Sequence, residues 1–395
     1  MRAVPLSDLG DIVSGSTPKT HIAEYWNGDI PWITPADLSQ HNGIYFHGKP
    51  KRITKTGFES CSTAMLPPGT ILFSSRAPIG HCAVTRYPAC TNQGFKNIVP
   101  NSKLNPVYGY FALRFVTPSI LAKGRGATFA EVNKEMMEQV QIPYCDLGEQ
   151  ERIAGLLERA DRLRRARHYA LQMCDELLPE AFLEIFGDPA SNPYSYSIVP
   201  GEELFDSDRG GAKCGPFGSA LKNHEYVVSG IPVWTMENVQ SNHFIEEDCL
   251  YITDKKFEQL KAYSILDGDI LISRAGTVGR MAIVRTQHDR SIMHSNLIRL
   301  ALNRALVAPE YFVTLMTWFG SRVAKLKTGQ EDAYTFMNTG TLAELPIPLP
   351  PADAQKRFVS FVRQHEQLRA THVESLRQAD HLFQTLLHQA FATRQ

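Results

Sequence analysis

VQIPYCDLGEQERIAGLLERADRLRRARHYALQMCDELLPEAF, residues 140–182, decides the fold. It opens as an Ile-Pro strand end, passes an acidic residue into Gln-Glu-Arg-Ile, and continues as one long helix. From Glu149 to Phe186 the only glycine is Gly155 and the only proline is Pro179, near the end. Leu156, Ala160, Leu163, Arg167, Ala170, Cys174, Leu177 and Ala181 alternate in steps of four and three. Leu157, Leu171 and Leu178 widen that stripe into a heptad seam. LPIPLPPADAQKRF (345–358) repeats the opening, and a second helix follows from Asp353 to about Ala392. Its looser seam runs through Phe358, Phe361, Leu368, Leu376, Ala379, Phe383, Leu386 and Ala390. Both helices begin behind an acid, which suits the positive end of the helix dipole. They end alike, as LLPEAF (177–182) and LLHQAF (386–391). At ~1.5 Å per residue each is roughly 55 Å long, too long to lie on one small domain. The natural partner of each is the other, in an antiparallel pair holding two globular units apart. Packing of each helix on its own domain alone is the plainer alternative.

Working outward, the rest of the chain is also duplicated, in matching order. GDIPWITPADL (28–38) answers GIPVWTMENV (230–239), each a strand entered through a proline and left by a polar turn. LPPGTILFSSRAPIGHCAV (66–84) answers LDGDILISRAGTVGRMAIV (266–284), two strands joined by a Ser-Arg-Ala loop that closes on glycine. TNQGFKNIV (91–99) answers HSNLIRLAL (294–302), followed by a short helix around Tyr110-Phe111 or Tyr311-Phe312. A Gly-rich basic loop comes next, KGRGATFAEVN (123–133) or KTGQEDAYTFMN (327–338). FGDPASNPYSYSIVP (186–200) is rich in turn formers and links the halves. The sequence therefore predicts an α+β chain: two α/β globular units, separated by two long antiparallel coiled-coil helices and related by a pseudo-two-fold internal duplication. The boundaries fall at 1–147, 148–187, 188–350 and 351–395.

Composition bounds the function. Residues that are 43% hydrophobic and 21% charged describe globular domains with real cores. No apolar run reaches the ~18–20 residues of a membrane span, and MRAVPLSDLG lacks the pattern of a secretory leader. Seven cysteines without paired spacing imply free thiols in a reducing, cytoplasmic setting. With 41 basic and 41 acidic residues there is no global pull toward a polyanion, so any must come from local placement or partner subunits.

The motifs of catalysis are missing. Neither GxGxxG nor GxxxxGK[ST] occurs to cradle a phosphate, and there is no Gly-x-Ser-x-Gly elbow. Asn192-Pro193-Tyr194 lacks the second proline of an adenine-methyltransferase Asn-Pro-Pro-aromatic step and reads as a linker turn. Asp353-Ala-Gln355-Lys356 echoes the tail of a nuclease motif, yet it sits at a helix start and reads as capping. His81, Cys82 and Cys90 lack metal-ligand spacing. No catalytic and no metal-ligating residue is assigned.

The loops instead suit nucleic acid. Arg76 and Arg274 occupy matched Ser-Arg-Ala loops, with Arg280 at the far end of the second. Lys123, Arg125 and Thr128 in the first Gly-rich loop face Lys325, Lys327 and Thr335 in or beside the second. Lys19, Lys49 and Lys96 in the first unit, and Lys213 and Lys222 in the second, could extend the surface, as could Lys51 and Arg52. Lys and Arg neutralise phosphates, Gly lets backbone approach, and Arg takes a guanine edge with two hydrogen bonds. Trp32 and Trp234 read as core.

SGSTPKT (14–20), IPWIT (30–34), ILFSSRAPIG (71–80), TNQGFK (91–96), IPYCDLGEQERI (142–153), ELLPEAF (176–182) and FGDPASNPY (186–194), in this order, resemble the specificity subunit of type I restriction-modification systems. The resemblance covers essentially the whole chain. It implies a non-catalytic reader of double-stranded DNA whose two target-recognition domains, 1–147 and 188–350, each bind half of a split, asymmetric site. The spacer helices, 148–187 and 351–395, would set the gap and dock two methyltransferase subunits through Gln150, Arg152, Leu156, Leu163, Arg164, Gln355, Arg357, Phe361 and Leu368. Restriction subunits would join outside. S-adenosylmethionine, ATP and Mg²⁺ would reside on those partners, with no cofactor on this chain. The second Gly-rich loop departs from the first, with Glu331 and Asp332 at its middle, and 201–222 departs from SGSTPKT. A protein-interaction scaffold without DNA reading and an enzyme with an unfamiliar site are the competing classes.

Overall fold

Two short strands tie off each half of the chain. Arg2–Pro5 pairs antiparallel with Gln141–Tyr144, and Ser197–Pro200 pairs antiparallel with Pro346–Leu349. The Ile-Pro words therefore close a unit by pairing with its first strand, and the long helices leave from that closure. The computed structural model describes residues 1–76, 78–123, 131–217, 220–240, 242–274, 279–328 and 338–392, with backbone alone for Lys123 and 322–328.

The chain divides into one compact unit of Met1–Tyr169 with Glu374–Gln395 and a second of Ala170–Val373. Each carries a four-stranded sheet with the same strand order. In the first, Gly10–Ser14, Lys96–Pro100, Ile71–Phe73 and Cys82–Val84 lie side by side. In the second, Ala212–Cys214, Leu297–Leu300, Ile270–Ser273 and Met281–Ile283 repeat that order. A neighbouring sheet in each contains one parallel pair, Trp26–Ile33 with Cys90–Thr91 and Ile231–Trp234 with Ser291–Met293. A glycine is needed at the same place beside the two sheets of matching order. A Cβ on Gly15 would sit 2.1 Å from the Asn92 carbonyl oxygen, and one on Gly215 would sit 2.1 Å from that of His294. Gly215 thus stands where Gly15 of SGSTPKT does, despite the different side chains around it.

Register follows hydrogen bonds rather than matched letters. Trp32 pairs with Cys90, but the second-unit residue paired with Ile292 is Val233. Trp234 instead stands where Ile33 does, since each carbonyl accepts the N–H of the next strand's exit residue, Asn92 or His294. Because side chains alternate along a strand, the two tryptophans enter different clusters. Trp32 packs with Ile53 and Cys90, and Trp234 with Leu271, Ala282 and Leu297. Both are core, as expected, at 6% and 0% exposure.

The short helices are longer than expected, Pro106–Lys123 and Pro309–Thr328. Their partners in register are Tyr108 and Tyr311, whose hydroxyls donate to the carbonyls of Pro143 at 2.7 Å and Pro348 at 2.6 Å. Tyr110, the letter match, lies half a turn away.

The two long helices run Leu147–Phe186 and Ala352–Phe391, 40 residues each. Neither is a body by itself, for each gives one part to either unit. Arg164 faces Asp380 in the first unit, while Cys174 faces His365 and Phe182 faces Phe358 in the second, so the helices run antiparallel. The repeated endings do equivalent work. Phe391 packs on Tyr108 with ring centroids 5.2 Å apart, and Phe182 stacks on Tyr311 at 5.4 Å.

The seam of the first helix keeps Ala160 and Cys174 as expected and moves by one residue at the leucine doublets and at its end. Leu157, Ala160, Cys174, Leu178 and Phe182 are buried, whereas Leu163 and Leu177 are 41% and 46% exposed. Leu doublets at 156–157 and 177–178 make both phases equally apolar in sequence. In the second helix Phe358, Ala379 and Phe383 are buried as expected, yet Val362 and His365 fill the seam where Phe361 and Leu368 were expected. Leu368 is 44% exposed, and His365 donates its Nε2 proton to the Cys174 carbonyl at 2.8 Å. Among the described residues no helix is long and apolar enough to cross a membrane.

Candidate nucleic-acid interface

The hairpin loop after the second strand of each four-stranded sheet has one frame in both units. Ser74 and Ser273 donate backbone N–H to the carbonyls of His81 and Arg280 at 2.9 Å. Their hydroxyls accept the N–H of those same residues, again at 2.9 Å. Gly80 and Gly279, both with positive φ, return N–H to the serine carbonyls at 3.0 Å. This frame aligns Ser75 with Arg274, because both donate N–H across to the neighbouring strand's entry turn, to Gly94 and Asn296. Arg76 and Arg274 therefore sit in equivalent loops one position apart, a correction to the letter match. Along extended backbone that single step sends the side chain to another side.

The two arginines are accordingly held by different means. Arg76 Nε and Nη2 both approach Glu131 Oε2 at 2.9 Å, leaving the side chain about half exposed. Lys96 Nζ approaches Glu131 Oε1 at 3.0 Å and is itself buried. Burial acts to raise the Glu131 pKa, but hydrogen bonds and charge from Lys96 and Arg76 outweigh it and hold the carboxyl below its usual range. Lys96, expected at the DNA surface, instead fixes Glu131 from inside. Arg274 has its guanidinium 5.4 Å from the ring centre of Phe217, which is 69% exposed. Phe217 and Glu131 were not picked out by residue type. Their signals are an aromatic in the sequence Gly-Pro-Phe-Gly and the only acid in KGRGATFAEVN.

Lys19, Lys49, Lys222 and Arg280 are exposed. Lys49 edges a cleft with Arg52 and Tyr87. Lys213 is half-buried, its ammonium 5.1 Å from the Tyr263 ring centre. Arg125, Thr128, Glu331, Asp332 and Thr335 lie outside the described residues, as do the side chains of Lys123, Lys325 and Lys327.

On the helices, Gln150 and Gln355 are buried and spent internally. Gln150 Nε2 donates to the carbonyls of Lys103 at 2.9 Å and Cys145 at 2.8 Å, and its Oε1 accepts Asn105 N–H at 2.9 Å. Gln355 makes the same three bonds, to Leu306 at 3.1 Å, Pro350 at 2.9 Å and from Ala308 at 2.7 Å. The glutamine of the Gln-x-Arg step thus ties helix, closing strand and preceding loop together, and offers nothing to a partner. Arg152 is exposed beside Glu149, and Arg357 is exposed. Leu156 and Phe361 are half-buried. Arg164 reaches Asp161 at 2.8 Å and packs over Phe383 at 5.0 Å.

Burial pushes the thiols of Cys82 and Cys90 up to about 12 and about 11, so both stay protonated at neutral pH. Among the described residues no group of three or more His, Cys, Asp or Glu gathers as a metal site.

Comparison with known proteins fits this duplicated frame. The model of the type I restriction modification DNA specificity domain matches residues 1–171 and 203–378. The type I restriction enzyme MjaIX specificity subunit of Methanocaldococcus jannaschii is 39% identical over 185 residues, covering 46% of this chain and 43% of that one. The EcoR124I/EcoR124II specificity subunit of Escherichia coli is 28% identical over 165 residues, 40% of each chain. The matched stretches span less than half the length of these relatives. The crystal structure of a type I restriction-modification system S subunit from M. genitalium superposes with TM-score 0.59 at 15% identity, covering 100% of this chain and 96% of that one. A chain from a structure of type I R-M complex assembly and conformational transition gives TM-score 0.56 at 19% identity, covering 98% and 97%. At these identities the likeness is one of fold. With the domain model matching in both halves, on units that repeat one strand order, the chain belongs to the type I restriction-modification DNA specificity family.

Proposed function

We propose that the chain is a non-catalytic DNA specificity subunit, each unit reading one half of a bipartite, asymmetric site. The observation that carries this is the shared loop frame with unlike side chains. Serine and glycine positions that shape the loop are kept, while what it presents differs: Arg76 clamped by Glu131 in one unit, Arg274 against Phe217 in the other. A repeated scaffold with diverged tips is what two different half-sites require. Arginine suits the task because its planar fork can bond two acceptors of a guanine edge, and the exposed Lys19, Lys49, Lys222 and Arg280 can neutralise phosphates.

The long helices set the spacing between half-sites and dock two methyltransferase subunits, with restriction subunits joining outside. Exposed apolar side chains on them support docking: Leu163, Leu177, Leu368 and Leu382, each 41–46% exposed. S-adenosylmethionine, ATP and Mg²⁺ are expected on those partners. Gel shifts of the chain reconstituted with its methyltransferase subunits test the reading. A specific shift on bipartite duplexes, weakened by Arg76→Ala and by Arg274→Ala, is expected. Complexes that assemble but bind all duplexes alike would leave a protein scaffold instead.

A further inference from the structure

Each unit has a cleft walled by its long helix, the helix before the Gly-rich loop, and the chain after its first capped turn. In the first unit it holds about 220 Å³ and is lined by His41, Tyr110, Arg114, Asp161 and Arg164, among others. At ~30 Å³ per water, that is room for about seven waters' share of liquid, ample for a small tetrahedral ion. Asp161, 1% exposed, is shared by three arginines: Arg164 at 2.8 Å, Arg165 at 2.9 Å and Arg114 at 3.9 Å. One further acid, the half-exposed Asp380, stands 3.9 Å from Arg164. Cations therefore exceed anions, in a partly desolvated setting where charge is weakly screened.

Two nitrogens lining this cleft are buried and unpartnered, His41 Nε2 and Arg164 Nε. Buried polar atoms without partners are rare, and each asks for a ligand or a water. Burial pushes the His41 imidazole pKa down, a backbone hydrogen bond at Gly43 opposes it, and the nearby charges of His47 and Arg165 add to the lowering.

The second unit supplies an internal comparison. Counting equally from Gln150 and Gln355 brings Asp161 onto Glu366, Arg164 onto Arg369 and Arg165 onto Ala370. Counting equally from Tyr108 and Tyr311 brings Arg114 onto Thr317. The matching cleft is lined by Asp175, Glu310, Glu366 and Arg369, with Arg285 reaching Glu310 from its edge at 2.7 Å. Its acids outnumber its arginines. The fold thus builds a similar cleft twice and lines it with a different balance of acids and arginines.

The geometry points to an oxyanion-binding site in the first unit, taking a phosphate-type group on Arg114, Arg164 and His41, with no counterpart in the second. Its assignment does not rest on DNA reading, so the test uses the full chain without DNA. Inorganic phosphate is titrated against chloride at matched ionic strength, by calorimetry and by the His41 ring signals in NMR. Saturable binding is expected, with a saturable shift at His41 in phosphate alone. Arg114→Gln should weaken binding about tenfold, while Lys55→Gln, which removes an equal but exposed charge, should not. Dimethyl phosphate in a second arm separates sources: tighter binding of it than of phosphate names a nucleic-acid diester, and the reverse names the free ion. No saturable binding of either, or equal losses in the two variants, overturns the site. The His41 signals of the unaltered chain decide the question even if Arg114→Gln does not fold.

Discussion

Replacing Gln150 by methionine keeps the length of the side chain and removes all three of its hydrogen bonds. The Asn105 N–H and the carbonyls of Lys103 and Cys145 then lose their partner. A buried backbone group left unsatisfied costs about 1–3 kcal/mol. Lys103 is exposed and Asn105 half-buried, so water can reach part of the gap and the lower end applies. Three groups at about 1 kcal/mol each give a loss of roughly 3 kcal/mol. The assay is native-state hydrogen exchange with urea titration, following the Asn105 amide in the first unit and the Ala308 amide in the second. Gln150→Met should lower protection at Asn105 and leave Ala308 unchanged, and Gln355→Met should do the reverse. A loss within about 0.5 kcal/mol, the range of ordinary surface changes, would refute the reasoning. Equal loss at both amides would show that the glutamines do not act within their own units.

Glu131→Gln should destabilise the first unit by roughly 2 kcal/mol, since it strands the buried Lys96 ammonium. Adding Lys96→Met should recover most of that in urea unfolding. Because the Glu131 pKa is held below its unfolded value, its contribution is present above the unfolded pKa and lost as pH falls through the folded one. The acid limb of a stability profile should therefore be shallower in Glu131→Gln. Arg274→Ala should relax one base position in one half-site by about 1–3 kcal/mol in selection sequencing, and leave the other half-site intact. Seven residues inserted in register into both long helices should lengthen the unread spacer by about three base pairs, as ~10 Å of helix spans about three steps of ~3.4 Å. An unchanged spacer would remove the helices as its ruler.

The duplication, the two long helices and the paired hairpin loops were legible because they rest on short words repeated in order. What the letters could not carry is register. Trp32 matches Trp234 in print, yet hydrogen bonding sets Trp234 against Ile33. Arg76 and Arg274 share a word but differ by one place, which alters what each faces. The heptad phase was ambiguous wherever two apolar residues adjoin, and packing alone chose Leu157 and Leu178. Burial of Lys96, Gln150 and Gln355 was hidden for another reason: a polar residue whose partners are distant carbonyls or a distant acid looks like surface in one dimension.

Mapping methylated adenines across the genome of a host carrying this chain with the proposed methyltransferase partner tests the central claim most directly. The account predicts one split motif, with two dissimilar half-sites separated by a fixed unread gap, in which changes to the first unit's loops alter one half and changes to the second unit's loops the other. A continuous motif, or no motif dependent on this chain, would contradict it.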